Sequence, residues 1–262
     1  MNAAWRQRPM SNDELLQFIL ENGATISPIF SLPGVTNQIF RIDWLHCVDQ
    51  GIAADFLGNI FKISCKKMPG GSNKVRCAAL WVRLQAFYTR NSVGDRLQNL
   101  VPTMFLQPKK APKLRCSAAQ CRAMIPFALE LVAGFSDHDV VESTAKLAMM
   151  HLDQCYKALS HSSMFAADVL QEHSVKFSLL YVALERAHEG TRDFRVKPKL
   201  HLFLELCREG GKPALCWNYR DEDWGGTVSK MSRRRGGLLS VQAFSANMLQ
   251  RFRMQQPVIR MM

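Results

Sequence analysis

The sequence predicts a mainly α-helical protein with at most one or two strands. Three observations carry that expectation. Apolar residues recur at three-to-four spacing over most of the 262 residues, helix-start signals precede several of these runs, and strand-like alternation is confined to one short segment. With 47% hydrophobic and 21% charged residues, the chain can bury a sizeable core and does not have a disordered composition.

The elements are justified in order. Ser11 with Glu14 three residues on is a capping-box pattern, Leu15, Phe18 and Ile19 follow at helical spacing, and Gly23 ends the helix. Ile39 to Ile42 alternates and predicts one strand that delivers Asp43. Leu45, Val48, Ile52, Phe56, Ile60 and Ile63 predict a helix to about Cys65, stopped by Pro69-Gly70-Gly71. Ser72 caps a third helix to about Asn91, with Val75, Ala79, Val82 and Ala86 expected to face inward. Residues 92–116 are proline-rich and irregular, and Lys109-Lys110-Ala111-Pro112-Lys113 reads as an exposed basic loop. Ser117 with Gln120 starts a helix to Gly134, Asp137 caps another to about Ser160, and 164–190 forms a long amphipathic one. Pro198 opens a further helix, since proline suits a first turn. Residues 220–235 predict a helix interrupted at Gly225-Gly226, and 238–256 a last one. Three regions follow: 1–66, 67–190 and 191–262.

Charge is strongly segregated. Residues 62–122 carry thirteen Lys and Arg against one acid, Asp95, whereas 123–189 carry a net charge of −5. Such a block makes a local positive field suited to nucleic acid. The alternative is a basic face that balances the acidic segment, within the chain or between copies in a homo-oligomer. The eight cysteines are scattered without a Cys-x-x-Cys pair, which favours free thiols in a reducing nuclear or cytoplasmic setting over a zinc ribbon. No run approaches the ~18 uncharged apolar residues of a membrane span.

Two clusters could carry chemistry. Asp43-x-x-His46 places a carboxylate and an imidazole on one side of a first helical turn, fit to hold a divalent ion or move a proton. The plainer reading makes Asp43 an N-cap and His46 a half-buried helix residue. Asp221-Glu222-Asp223 lies among Trp217, Tyr219 and Trp224, and only one of the three acids can face inward. Magnesium sites often need only one or two carboxylates, so an inward Glu222 is a candidate ligand; an acidic helix start is the alternative. Arg233, Arg234 and Arg235 can neutralise phosphates.

The order of these features resembles the C-terminal half of eukaryotic RNase H-like, acidic-triad DNA transposases of the CACTA and hAT kind. The matching residues are Asp43, His46 and Gly51, then a helical insertion, then Lys197-Pro198-Lys199-Leu200-His201, then Trp217-Asn218-Tyr219-Arg220-Asp221-Glu222. The resemblance covers residues 38–240. It implies that any strand is the edge of an incomplete RNase H-like core. It also implies that Glu222 is the third triad member, that Asp43 and His46 flank the site, that Glu222 and Asp43 are the metal ligands for Mg2+ or Mn2+, and that DNA is the partner. The family's first two aspartates lie upstream of Asp-x-x-His, on strands that 42 residues cannot supply, and no zinc finger is visible. The expected function is therefore nucleic-acid binding by a transposase-derived chain, through non-specific phosphate contacts at Lys109, Lys110, Lys113 and Arg233 to Arg235, with cleavage incomplete. The competing expectations are a helical protein-interaction module without nucleic acid, and a small-molecule or metal enzyme of another class. Glu222 is expected to point inward and to lie near His46.

Overall fold

The structure, a computed structural model, describes residue 8, residues 10–160, 164–208, 211–215 and 217–233, and positions 246 and 250. Among the described residues it is mainly α-helical and contains no strand. The segment expected as a strand at 39–42 is instead the end of a 3-10 turn, Asn37–Ile39, and irregular chain. With no described neighbouring strand to pair with, four alternating residues do not make a β-element. The chain divides into two compact units between Asp43 and Trp44. The boundary expected at 66 falls near the end of the helix Ala54–Lys67, within the second unit.

The first unit holds α1 (Asn12–Glu21) and two 3-10 turns. The capping box forms as the sequence predicts: Glu14 N–H donates to Ser11 Oγ, and Ser11 N–H to the Glu14 carboxylate at 2.8 Å. Gly23 ends the helix with φ +70. No described residue of this unit is fully buried.

The second unit is built around one kinked helical segment. Leu45–Ala53 (α2) is wound as wide π-type turns with a kink at Gly51, and Ala54–Lys67 (α3) continues it. The other elements are α4 (Asn73–Arg90), α5 (Ala118–Ala123), α6 (Ile125–Val132), α7 (Val140–Ala158), α8 (Ala167–Ala187), α9 (Pro198–Arg208) and α10 (Tyr219–Arg233). α3 touches α4 and α6, while α2 touches α5 and α9. Every residue from Ala54 to Phe61 is consequently buried. Phe56 meets Phe177 edge-on at 5.3 Å and Phe194 at 5.9 Å, and Phe61 meets Phe105 and Phe127 at 5.9 and 6.0 Å.

Several helix starts are read correctly from sequence and several details are not. Ser72 caps α4 and Ser117 with Gln120 forms a second capping box. α4 does not bury Val75 and Val82, which are exposed; Cys77, Leu80, Leu84, Phe87 and Tyr88 face inward. Both stripes have helical spacing, and the bulkier one removes more apolar area from water. The helix expected over 117–134 breaks at Met124, because Pro126 has no N–H for the Arg122 carbonyl. Asp139, not Asp137, is the N-cap of α7, accepting from Val141 and Glu142 N–H, while Asp137 pairs with Lys146. α10 runs unbroken through Gly225-Gly226, and the helix expected over 238–256 lies almost wholly outside the described residues. No described helix is long and apolar enough to cross a membrane.

Candidate nucleic-acid interface

The feature that organises the basic surface is a polar stripe on α3. Asp55, Gly58, Asn59 and Lys62 recur at i, i+3, i+4 and i+7, so they share one helix face in an otherwise apolar element. Each fixes a neighbouring loop. Gly58 lets the backbone of 113–114 lie directly on the helix: a Cβ there would come within 2.4 Å of Lys113 N and 2.5 Å of Lys113 Cα. Leu114 N–H donates to the Ala54 carbonyl at 2.8 Å, which secures that approach. Asn59 Oδ1 accepts from Phe194 N–H at 3.0 Å, and Lys62 binds the Asp193 carboxylate at 2.7 Å. Two loops, 107–115 and 191–197, are thereby held side by side.

Between them lies a groove of about 620 Å³, lined by Lys109, Lys110, Lys113, Arg115, Arg192, Arg195 and Lys197, with Gln107, Ala111, Val196 and Pro198. Seven cations share it, and no acidic side chain is among its lining residues. Asp55, buried on the stripe beneath, meets Lys197 Nζ at 2.8 Å and Lys113 Nζ at 3.9 Å. The turn that presents Lys109 and Lys110 places Lys109 at φ +59, a left-handed conformation costing a non-glycine residue about 1 kcal/mol.

Of the three loop lysines expected to be exposed, Lys109 and Lys110 are exposed and Lys113 is not. Lys113 Nζ donates to the Gln50 carbonyl at 2.6 Å, one of the groups at the α2 kink, and burial pulls its pKa below the usual lysine range. Lys199 Nζ serves the His46 carbonyl in the same way at 2.6 Å. Arg233 ends α10, and Arg234 and Arg235 lie outside the described residues. Sequence reasoning missed Arg115, Arg192, Arg195 and Lys197. The last three are some eighty residues from the loop they face, and the available signal was the polar stripe of α3.

Part of the basic block is neutralised within the chain. Lys67 pairs with Glu142 at 2.8 Å and Arg90 with Glu130 at 2.6 Å, as the charge-balancing alternative expects.

The second cluster sits where α2 meets α10. His46 Nε2 lies 2.7 Å from Glu222 Oε1, so the fold joins two residues 176 positions apart in sequence. Glu222 does not point inward, however: its side chain and that of His46 are about half exposed, and Trp224 is also exposed. Asp43 is part-buried and ends the first unit. The buried carboxylate here is Asp49, wholly inaccessible. It accepts from Tyr156 and Tyr219 hydroxyls, each at 2.5 Å. Burial raises its pKa to about 6, against the two phenols and the Arg122 guanidinium, which favour the charged form. The Trp44 indole helps in the same sense, but its N–H makes no hydrogen bond of good geometry. Arg122 lies over the rings of Trp217 and Tyr156, at 4.6 and 5.8 Å. These contacts tie the 217–222 segment to the core.

Among the described residues no group of three or more His, Cys, Asp and Glu side chains is placed to hold a metal ion. Glu222 faces the His46 imidazole, and both Asp49 oxygens accept from phenols. Comparison of the chain with protein-family models, with curated proteins and with solved structures finds no match.

Proposed function

We propose that this chain binds nucleic acid through phosphate contacts in the groove between loops 107–115 and 191–197, as a transposase-derived protein that does not itself cleave. The observation that supports this reading most is the convergence of seven Lys and Arg side chains on one groove, with their backbone supports anchored to one helix face. Cations held at fixed spacing release condensed counterions from a polyphosphate, giving affinity that falls steeply with salt.

The test is a salt titration of duplex binding with Lys110, Arg192 and Arg195 replaced together by Ala. These three do not hold the kink carbonyls, so the fold is retained. Affinity should fall by about tenfold or more, and the log–log salt slope should flatten by about two to three. An unchanged slope would remove the groove from the interface.

Cleavage by two metal ions needs a clamp of carboxylates on both reacting oxygens. The wild-type chain is therefore expected to leave supercoiled DNA un-nicked in Mg2+ or Mn2+. Nicking that disappears in Glu222→Gln would overturn this part of the reading.

A further inference from the structure

A buried anion lies beneath the groove. Asp55 lies beneath it on α3, with its side chain only 7% exposed, and its Oδ2 is 2.8 Å from Lys197 Nζ. Its other oxygen, Oδ1, is buried and makes no hydrogen bond; Lys113 Nζ lies 3.9 Å from it. Lys113 is itself committed to the Gln50 carbonyl. Lys197 is 38% exposed and lines the groove, so its ammonium is within reach of solvent while turned toward the carboxylate. A carboxylate and a phosphate monoanion ask the same thing of a lysine: two or three charged oxygens at hydrogen-bond distance.

Resting on the nucleic-acid reading, we infer that Asp55 is a resident counter-anion: it holds Lys197 in the place a backbone phosphate would otherwise take, and so sets the groove's affinity. The outer cations, Lys110, Arg192 and Arg195, then make first contact with a polyphosphate. Lys197 joins only by leaving Asp55. With Oδ1 already unsatisfied, departure of Lys197 leaves the buried carboxylate still less compensated, and that cost opposes the exchange. The groove is thus tuned below the affinity that seven free cations would give.

The experiment is a double-substitution cycle on duplex binding, with Asp55→Asn, Lys197→Met and the pair, each checked by thermal unfolding. Asp55→Asn should raise affinity about tenfold at 0.1 M salt and steepen the salt slope by about one, the equivalent of one gained phosphate contact. In the Lys197→Met background the same change should have little effect. An equal rise in both backgrounds would mean that Asp55 acts only as a distant charge, and no rise would mean that it does not compete; either overturns the inference and leaves the nucleic-acid reading standing. If the wild type binds no duplex but Asp55→Asn does, the inference holds and the groove is latent. If neither binds, both fail. Should Asp55→Asn not fold, Lys197→Met alone decides: it should cost clearly less affinity than Arg195→Met, and an equal cost overturns the inference.

Discussion

Replacing Gly58 by alanine should lower stability by about 3 kcal/mol and abolish binding to the groove. Alanine is ordinarily better than glycine inside a helix by about 1 kcal/mol. Here that preference loses, because the new methyl would meet Lys113 N, Lys113 Cα and Leu114 N at 2.4, 2.5 and 2.8 Å. These are backbone atoms, which cannot rotate away, and overpacking against them displaces either the loop or the helix. The Leu114 to Ala54 hydrogen bond is lost with the displacement. Urea unfolding and a duplex titration on the same sample check both halves. Gly225→Ala provides the contrast: its Cβ would meet nothing within 4 Å, so α10 should gain up to about 1 kcal/mol. Equal stability of Gly58→Ala and wild type would show that the loop does not rest on α3.

The second large effect is a pH dependence centred on Asp49. Its folded pKa, about 6, stands above the ordinary 3.8, so the folded chain binds the proton more tightly than the unfolded chain. The stability it contributes is therefore fully present below about pH 4 and is lost as pH rises through about 6. A shift of this size corresponds to about 3 kcal/mol at most. Asp49→Asn keeps a group that can pair with both phenols but cannot ionise. Relative to wild type, the variant should thus gain up to about 3 kcal/mol between pH 4 and pH 7, measured by chemical denaturation at each pH. Parallel stability–pH curves would contradict the raised pKa.

What the sequence made legible was local. Capping boxes at Ser11 and Ser117, the cap at Ser72 and the proline that opens α9 depend on residues within one turn of each other, and each forms where the spacing predicts. The inward face of α4 was misread because two stripes shared the same period and only side-chain volume separated them. The groove was half legible: Lys109 and Lys110 stood out as a run, but Arg192 and Arg195 gain meaning only when Asn59 and Lys62 draw their loop across the chain. Likewise the proximity of His46 and Glu222 was anticipated, whereas the role of Asp49 emerges only when Tyr156 and Tyr219 close over it. A polar residue on an apolar helix acquires its role from partners that lie far along the chain.

The wide winding of Leu45–Ala53 has a further meaning when α2 and α3 are treated as one shaft. Each residue added to or removed from a helix turns everything beyond it by about 100°. The π-type turns hold extra chain in the shaft, so they act as a phase offset between its two ends. Before the kink Asp49 faces Tyr156 and Tyr219; beyond it Asp55 faces Lys197, six positions on. A regular α-helix would set these two acids about 120° apart over six residues, and the wide turns with the non-helical backbone at Gly51 replace that angle with another. The docking of the 217–222 segment and the charge balance of the groove are therefore geared to one another through a single irregular turn, and a one-residue deletion between them would disengage one or the other.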